Sequence, residues 1–222
     1  MFIPAITDRQ MNELRIIATK GGENANLAFS RWLKEKARLE VTDVSLIPFS
    51  DIVKTIGEGD KMVVSVLLRM TGDITGNTVL IFSEDSAGRL IEKMIKKTII
   101  PSNPPLLKGG RGDLGDNGFD AVDRSIMEET GNIVVTAFLN SLVAHLDIAI
   151  SSTPPVFIHD YAGAILEMAV MEYAPVADYA LLFNTEFYEV NTKVDGYFFI
   201  LPSPESLNIL LEKIEGREGV KS

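Results

Sequence analysis

Three polar side chains stand at helical spacing in the segment Ser125-Ile-Met-Glu-Glu-Thr-Gly-Asn132. Ser125, Glu129 and Asn132 occupy positions i, i+4 and i+7, and a rotation of about 100° per residue places all three on one face of a helix. They offer a hydroxyl, a carboxylate and a carboxamide, and a carboxamide can both accept from a water molecule and donate to it. This polar stripe is the candidate site. The competing interpretation is a solvated helix face without function.

The chain lacks the residues that other common kinds of functional site need. The chain has no cysteine, which excludes disulfides, thiolate metal sites and cysteine nucleophiles. His145 and His159 have no partner at ligand spacing, and we interpret both as incidental. Arg111-Gly-Asp113 and the glycines around it lack the extracellular context of an adhesion motif and the Lys-Ser/Thr of a phosphate-binding loop. We therefore expect no metal or cofactor of the chain's own.

The net charge of the chain argues against some classes of binding partner. It has 222 residues, of which 31 are acidic and 21 basic, and the formal charge is −10. Clustered cations drive binding to nucleic acids and anionic membranes, and no Lys/Arg-rich block is present. No basic leader with an apolar core and no run of eighteen apolar residues is found either. We expect a cytoplasmic protein that neither binds nucleic acid nor inserts into a membrane.

The stripe must be positioned by the elements around it, which fall into two halves. Half 1 spans about 7–98 and half 2 about 120–215, and a Pro/Gly-rich insert at about 101–118 joins them. Apolar spacing and turn residues predict, in half 1, a helical segment Thr7–Leu39 divided at Gly21-Gly22, strands Val41–Ile52, Met62–Met70 and Thr78–Phe82, the last two forming a hairpin, and a helix Ser83–Lys97. In half 2 they predict a helix Ala121–Leu146, strands Asp147–Ser152, Val156–His159, Gly163–Glu172, Tyr179–Val190 and Gly196–Leu201, and a helix Ser203–Glu215.

The two halves repeat each other. At an offset of 113, Asn12–Thr19 lies over Ser125–Asn132; at an offset of 120, Glu84–Met94 lies over Pro204–Ile214. Each unit alone is small for an independent core, so two units most economically share one sheet around a pseudo-twofold axis. We therefore predict an α/β (α+β) fold of duplicated helix-strands-helix units, forming a single domain over residues 1–222.

The repeat does not preserve the stripe. Ser125, Glu129, Asn132 and the later Pro155 correspond in half 1 to Asn12, Ile16, Thr19 and Thr42. A stripe that the helix needed for structural reasons should be present in both copies. Its presence in one copy favours a functional site in half 2 and an inactive first copy.

The same four positions resemble a family signature. Ser/Asp-x3-Glu-x2-Asn-x22-Pro is the signature of the CheC, CheX and FliY phosphatases of bacterial and archaeal chemotaxis, and this chain matches it at every spacing with Ser125, Glu129, Asn132 and Pro155. The Gly21-Gly-Glu-Asn-Ala25 run and the segments leading into the helices at Ser83 and Ser203 also look like CheC. Only the insert falls outside. Length favours CheC over the shorter CheX, and we expect no flagellar-switch domain like that of FliY.

The resemblance implies a CheC-like fold and an activity, which is hydrolysis of the aspartyl phosphate of the phosphorylated response regulator CheY. It implies that Asn132 aligns the attacking water and that Glu129 contacts a receiver lysine, while the receiver brings its own Mg²⁺. Ser125 is expected to cap or stabilise the helix start, and Pro155 to shape the neighbouring turn. We interpret Glu128, rotated away from the stripe, as an ordinary surface residue.

Two other functions remain open at this point. The resemblance to CheC also implies a binding partner, the receptor deamidase CheD, so the chain could be a binding module with little hydrolysis. A flagellar-switch component is the third interpretation, and it predicts association with motor proteins.

Overall fold

The computed structural model describes residues 6–33, 37–48, 51–52, 54, 59–98, 118–171, 179–189 and 192–216. The predicted insert at 101–118 lies outside these ranges except for its last residue. In chain order the elements are α1 (Asp8–Leu33), β1 (Ala37–Pro48), β2 (Met62–Gly72), β3 (Gly76–Ser83), α2 (Glu84–Thr98), α3 (Ala121–Leu146), β4 (Ile150–Ser152), β5 (Val156–Tyr161), α4 (Ala162–Met171), β6 (Tyr179–Glu189), β7 (Thr192–Pro202) and α5 (Pro204–Gly216).

The strands form one antiparallel sheet whose order reads alike from either end. The order is β1-β6-β7-β3-β2, and β4 and β5 both pair with the outer side of β2. Strand β1 of half 1 corresponds to β4 and β5 of half 2, β2 corresponds to β6, and β3 corresponds to β7. When each strand is replaced by its counterpart, the same strand order is obtained in reverse. At the centre Val79 pairs with Phe199, two residues that are themselves 120 apart. The predicted α/β fold of duplicated units around one sheet is confirmed.

The starts of α2 and α5 repeat in atomic detail. The Ser83 hydroxyl accepts from the Ser86 amide at 3.2 Å, and the Ser203 hydroxyl accepts from the Ser206 amide at 3.3 Å. A side-chain oxygen before a helix satisfies an amide that has no partner within the helix. The offset of 120 in the sequence therefore corresponds to equivalent helix caps.

The sheet separates two cores. Helices α1, α2, α3 and α5 cover one face, where Phe138 of α3 contacts Phe183 and Phe198 with ring centroids 4.9 and 5.0 Å apart. Helix α4 and Ile52 cover the opposite face. Alternate strand residues serve the two faces: Val64 belongs to the first core and Val63 to the second. Helix α3 thus packs against both α1 and the sheet.

Helix α1 is continuous, and the predicted division at Gly21-Gly22 was wrong. A Cβ added to Gly21 would lie 2.6 Å from the Cδ2 atom of Phe138. The glycine lets the ring of α3 reach the backbone of α1, and this packing offsets the cost of about 1 kcal/mol that glycine imposes on a helix. The paired glycines mark a helix contact and not a helix end.

The predicted strand at Gly163–Glu172 was also wrong, because this segment forms α4. Its buried residues Ala162, Ile165, Leu166 and Ala169 have i, i+3, i+4 and i+7 spacing, which matches the period of a helix. Two strand boundaries differ as well. Strand β1 ends at Pro48 and leaves Ile52 in a helical segment, while Asp147 ends α3 in a left-handed conformation with φ 52°. The first helix ends at Leu33 and not at Leu39, because Ala37–Leu39 already pair with β6 as the start of β1. The remaining predicted helices and strands are found within a few residues of their expected bounds.

No helix within the described residues combines the length and apolar character needed to cross a membrane.

Candidate functional site

Helix α3 begins with a capping box one turn before the stripe. The Asp120 carboxylate accepts from the amides of Val122 and Asp123 at 2.8 and 2.9 Å, and Asp123 accepts from the Asp120 amide at 3.2 Å. Asp120 is therefore the N-cap, and Ser125 lies in the second turn. The expectation that Ser125 caps the helix was wrong.

The stripe lies on an accessible face of α3. Ser125 and Glu129 are exposed and Asn132 is half-buried. Among the described residues, the Glu129 carboxylate has no hydrogen-bond or ion-pair partner. The Asn132 Oδ1 atom accepts a long hydrogen bond of 3.4 Å from the Thr136 hydroxyl, one turn further along. The helix therefore presents a carboxylate and a carboxamide to solvent on the same side.

Asn132 lies at the edge of a groove between α1 and α3. The groove has a volume of about 360 Å³, and its lining residues are Asn24, Ala28, Asn132, Ile133, Thr136, Ala137 and Asn140. Small apolar side chains and neutral polar groups line it, with no charged residue among them. The carboxamide of Asn132 can thus be approached from solvent.

Gly131 brings this part of α3 close to the sheet. A Cβ at this position would lie 2.4 Å from Cγ1 of Val66 in β2. Val66 is fully buried and β-branched, so its side chain has little freedom to move away. The residue next to Asn132 must therefore be glycine if α3 is to pack this closely against β2. Sequence reasoning missed this role, and its only signal was a glycine inside a strongly helical pattern.

Pro155 lies in an irregular part of the outermost strand. The pair Met70–Ser152 is followed by Leu67–Val156, so two residues of β2 face three residues of the outer chain. Proline has no amide to donate, and such bulges suit it. In half 1, the pairing of β1 with β6 skips one residue between Val41 and Asp43, which is Thr42. The bulge is present in both halves at equivalent positions.

Glu128 is not the ordinary surface residue that we expected. It is half-buried, and its Oε1 atom accepts from the Phe157 amide at 3.3 Å. The preceding turn contributes Arg124, whose guanidinium lies 5.5 Å from the centre of the Phe157 ring. These residues join α3 to β5, the strand that follows Pro155. No local pattern signals this contact, because residues 128 and 157 meet only through the fold.

Both histidines pair with glutamates. His145 of α3 lies 3.0 Å from Glu13 of α1, and His159 of β5 lies 2.8 Å from Glu84 of α2. Within the described ranges, no three His, Cys, Asp or Glu side chains form a group suited to a metal ion. Each histidine links two elements of the fold.

Comparisons with known proteins show which proteins this chain is similar to. No model of a known protein family matches the sequence. The chain is 27% identical to the CheY-P phosphatase CheC of Bacillus subtilis over 207 residues, which are 92% of this chain and 93% of CheC. It is 20% identical to CheC1 of Halobacterium salinarum over 210 residues, 93% and 96% of the two chains. The resemblance to CheC is confirmed.

Solved structures show the same fold for this CheC-like chain. Thermotoga maritima FliY superposes with a TM-score of 0.69 at 17% identity, over 95% of this chain and 98% of the other. FliM from the Helicobacter pylori FliM–SpeE complex gives 0.67 at 12% identity, over 97% and 99%. At these identities the similarity concerns the fold alone.

In half 1 of the CheC-like chain, two of the four residues equivalent to the signature line a cleft. Thr19 and Thr42 line a cleft of about 520 Å³ between α1 and β1, together with Gly22, Glu23, Asn26, Glu40 and Val41. Asn12 and Ile16 are exposed on the same helix, and the Thr19 hydroxyl donates to the Arg15 carbonyl at 2.9 Å. Thr19 and Thr42 thus share a cleft between helix and strand, whereas the groove at Asn132 lies between α1 and α3 and Pro155 is not among its lining residues. Half 1 has neither a carboxylate at position 16 nor a carboxamide at position 19.

Proposed function

We propose that this chain hydrolyses the aspartyl phosphate of a phosphorylated CheY-like receiver domain, at a single site that contains Glu129 and Asn132. One observation carries the proposal: a carboxylate with no partner among the described residues and an accessible carboxamide lie on the same face of α3. The similarity to CheC over almost the whole chain supports the choice of substrate.

Asn132 is proposed to align the attacking water. Hydrolysis of an acyl phosphate asks for alignment and charge stabilisation more than for covalent catalysis. A carboxamide oxygen can accept from a water while its NH₂ group donates, which orients the water toward phosphorus. Within the part of the chain that the structure describes, Oδ1 accepts one long bond, from Thr136, so little is lost when a water takes that place.

Glu129 is proposed to contact a lysine of the receiver. Its carboxylate is exposed and has no partner within the described residues, so no ion pair with any of those residues has to break on docking. A charge-assisted contact shielded from water contributes about 1.5–3 kcal/mol to the free energy of binding. Such a contact would fix the receiver so that its phosphoryl group lies beside Asn132.

Ser125 and Pro155 are proposed to support the site. Ser125 is exposed one turn before Glu129 and extends the polar face toward the receiver. Pro155 stands in the bulge of the outer strand, beside the strand that contacts α3. The Mg²⁺ ion belongs to the receiver in this proposal, and it would neutralise charge on the phosphoryl oxygens.

A phosphate-release assay tests the proposal. The purified chain is mixed with phosphorylated CheY, and phosphate is followed in time with the wild type, Asn132→Ala and Asn208→Ala. Asn208 is an exposed asparagine of α5 and serves as the matched control. We expect acceleration by the wild type and Asn208→Ala, and a loss of about 100-fold in Asn132→Ala. No acceleration by the wild type, or equal rates for Asn132→Ala, would refute the proposal.

A second candidate function, a module that holds CheD, is favoured by a different surface. Met168 and Met171 on α4 are 45% and 68% exposed, and α4 lies on the face of the sheet opposite α3. Exposed apolar side chains of this size are typical of protein contacts. This function predicts a CheD complex that survives Asn132→Ala and is lost in Met171→Asp. Failure of the wild type to co-purify with CheD would count against it.

A further inference from the structure

A second set of residues runs along α3 beside the candidate site. Arg124, Glu128 and Gly131 each precede a residue of the polar stripe by one position, so they also have i, i+4 and i+7 spacing. A rotation of about 100° per residue turns them to a neighbouring face of the helix. All three contact the outer part of the sheet, and we name them the anchoring stripe.

The contacts of the anchoring stripe converge on one strand pair. The Arg124 guanidinium covers the Phe157 ring at 5.5 Å, and its Nε donates to the Phe119 carbonyl at 3.4 Å. Glu128 accepts from the Phe157 amide at 3.3 Å. Val66, against which Gly131 packs, is the direct partner of Phe157 in the sheet. Three successive turns of α3 therefore meet the same place on β2 and β5.

This place lies beside the candidate site. Phe157 follows Pro155 by two residues, and Glu128 precedes Glu129 by one. The hydrogen bond from the Phe157 amide to Glu128 therefore joins the outer strand just after its bulge to the helix turn that carries the site. Loss of that bond frees both the strand and the helix turn, whereas Glu129 and Asn132 keep their own side chains.

Half 1 lacks the anchoring stripe as well as the polar stripe. The residues equivalent to Arg124, Glu128, Gly131 and Phe157 are Met11, Arg15, Ala18 and Val44. None of them can reproduce the contact, since an arginine has no acceptor and a valine has no aromatic ring. Both sets of residues are thus present in half 2 and absent from half 1.

We propose that Glu128 is a positioning residue, which holds β5 against α3 and so sets the relation of Asn132 and Glu129 to the segment around Pro155. It acts through the backbone of β5 and does not touch the receiver. This inference rests on the proposed phosphatase function for its effect on rate, but its structural part can be measured without any activity.

The test compares Glu128→Ala with Glu128→Gln, because a glutamine oxygen can accept the same hydrogen bond without a charge. Phosphate release is measured over a range of phosphorylated CheY, and hydrogen exchange at the Phe157 amide is measured in the chain alone. We expect Glu128→Ala to lower kcat about tenfold with KM within about twofold, since misplacement affects the reacting geometry. Exchange at Phe157 should become about tenfold faster.

Glu128→Gln should restore both values to within about twofold of the wild type. Arg15→Ala, which removes the equivalent side chain of half 1, is the matched control and should change neither. A higher KM at unchanged kcat, or a glutamine variant as defective as the alanine variant, would show that Glu128 contacts the receiver and would overturn the proposal. Unchanged exchange in Glu128→Ala would overturn it too.

The two proposals fail in different ways. If the wild type releases no phosphate, the proposed phosphatase function fails, while exchange at Phe157 still decides whether Glu128 holds the strand. If the wild type is active and exchange responds but kcat does not, Glu128 has only a structural role and the positioning proposal fails.

Discussion

Helices α1 and α3 occupy equivalent places in the two halves, but their exposed faces differ. Each has 26 residues, packs against the same sheet and borders a groove. Helix α3 presents Glu129 and Asn132, whereas α1 presents Ile16 and Thr19 at the same positions of the repeat. Ile16 is 37% exposed, so the residue in the place of the carboxylate is an apolar side chain facing solvent.

The comparison separates what the fold requires from what the site requires. The bulge at Thr42 and the serine cap of α2 recur in half 2, so backbone features that shape the sheet and helices are shared. The side chains on the outer helix faces are not shared. Because half 1 folds in the same way without the polar stripe, we infer that the stripe serves function and not folding.

The largest expected effect comes from converting half 2 into half 1. The double variant Glu129→Ile, Asn132→Thr should lower phosphate release from phosphorylated CheY by at least about 100-fold, because both the water and the docking contact are lost. Unfolding in urea should be almost unchanged, since Glu129 is exposed and Asn132 half-buried. Thr19→Ala, the corresponding change in half 1, should leave the rate as it is. Activity lost in Thr19→Ala would mean that half 1 contributes.

Gly131→Ala should be the most destabilising of the single changes. The added methyl group would meet Val66 at 2.4 Å, and overpacking of this kind costs about 1–3 kcal/mol of the free energy of unfolding. The equivalent residue of half 1 is already Ala18, so the two helices differ in how closely they approach the sheet. Urea unfolding measures the change. A stability equal to that of the wild type would show that α3 can move away from β2 without cost.

Gly88→Ala should have a smaller effect of opposite sign. Gly88 lies inside α2, and a Cβ there would meet no atom of the described residues within 4 Å. Alanine should therefore stabilise the chain by about 0.5–1 kcal/mol, through the lower entropy of the unfolded chain and a higher helix propensity. Urea unfolding of Gly88→Ala beside Gly131→Ala makes the comparison, and a loss of stability in Gly88→Ala would contradict it.

The smallest expected effect is that of transferring the polar stripe to α1, which should leave the rate of phosphate release unchanged. In a chain inactivated by Glu129→Ala and Asn132→Ala, adding Ile16→Glu and Thr19→Asn places the two groups of the polar stripe on α1. We expect no recovery of phosphate release, because half 1 has Arg15, Ala18 and Val44 in place of the anchoring residues. Recovery to even a tenth of the wild-type rate would show that the polar stripe is sufficient.

Much of the fold, and the grouping of the candidate site residues on one helix face, could be predicted from local patterns. Helical spacing predicted α3 at its observed bounds, and the repeat predicted two equivalent units around one sheet. The shared helix face of Ser125, Glu129 and Asn132 follows from the period of a helix alone. These features depend on residues close together in the chain or on similarity between two segments. Both kinds of information can be read directly from the sequence.

The remaining features depend on residues that meet only after folding. Gly21 marks a contact with Phe138 of another helix and not a helix end, and α4 is a helix although a short apolar run has no decisive period. Glu128 looked like surface because Phe157, its partner, is 29 residues away. The chemical groups of the site were determined by the sequence, whereas their support was decided by the tertiary structure, since contacts between distant residues depend on strand pairing and helix depth.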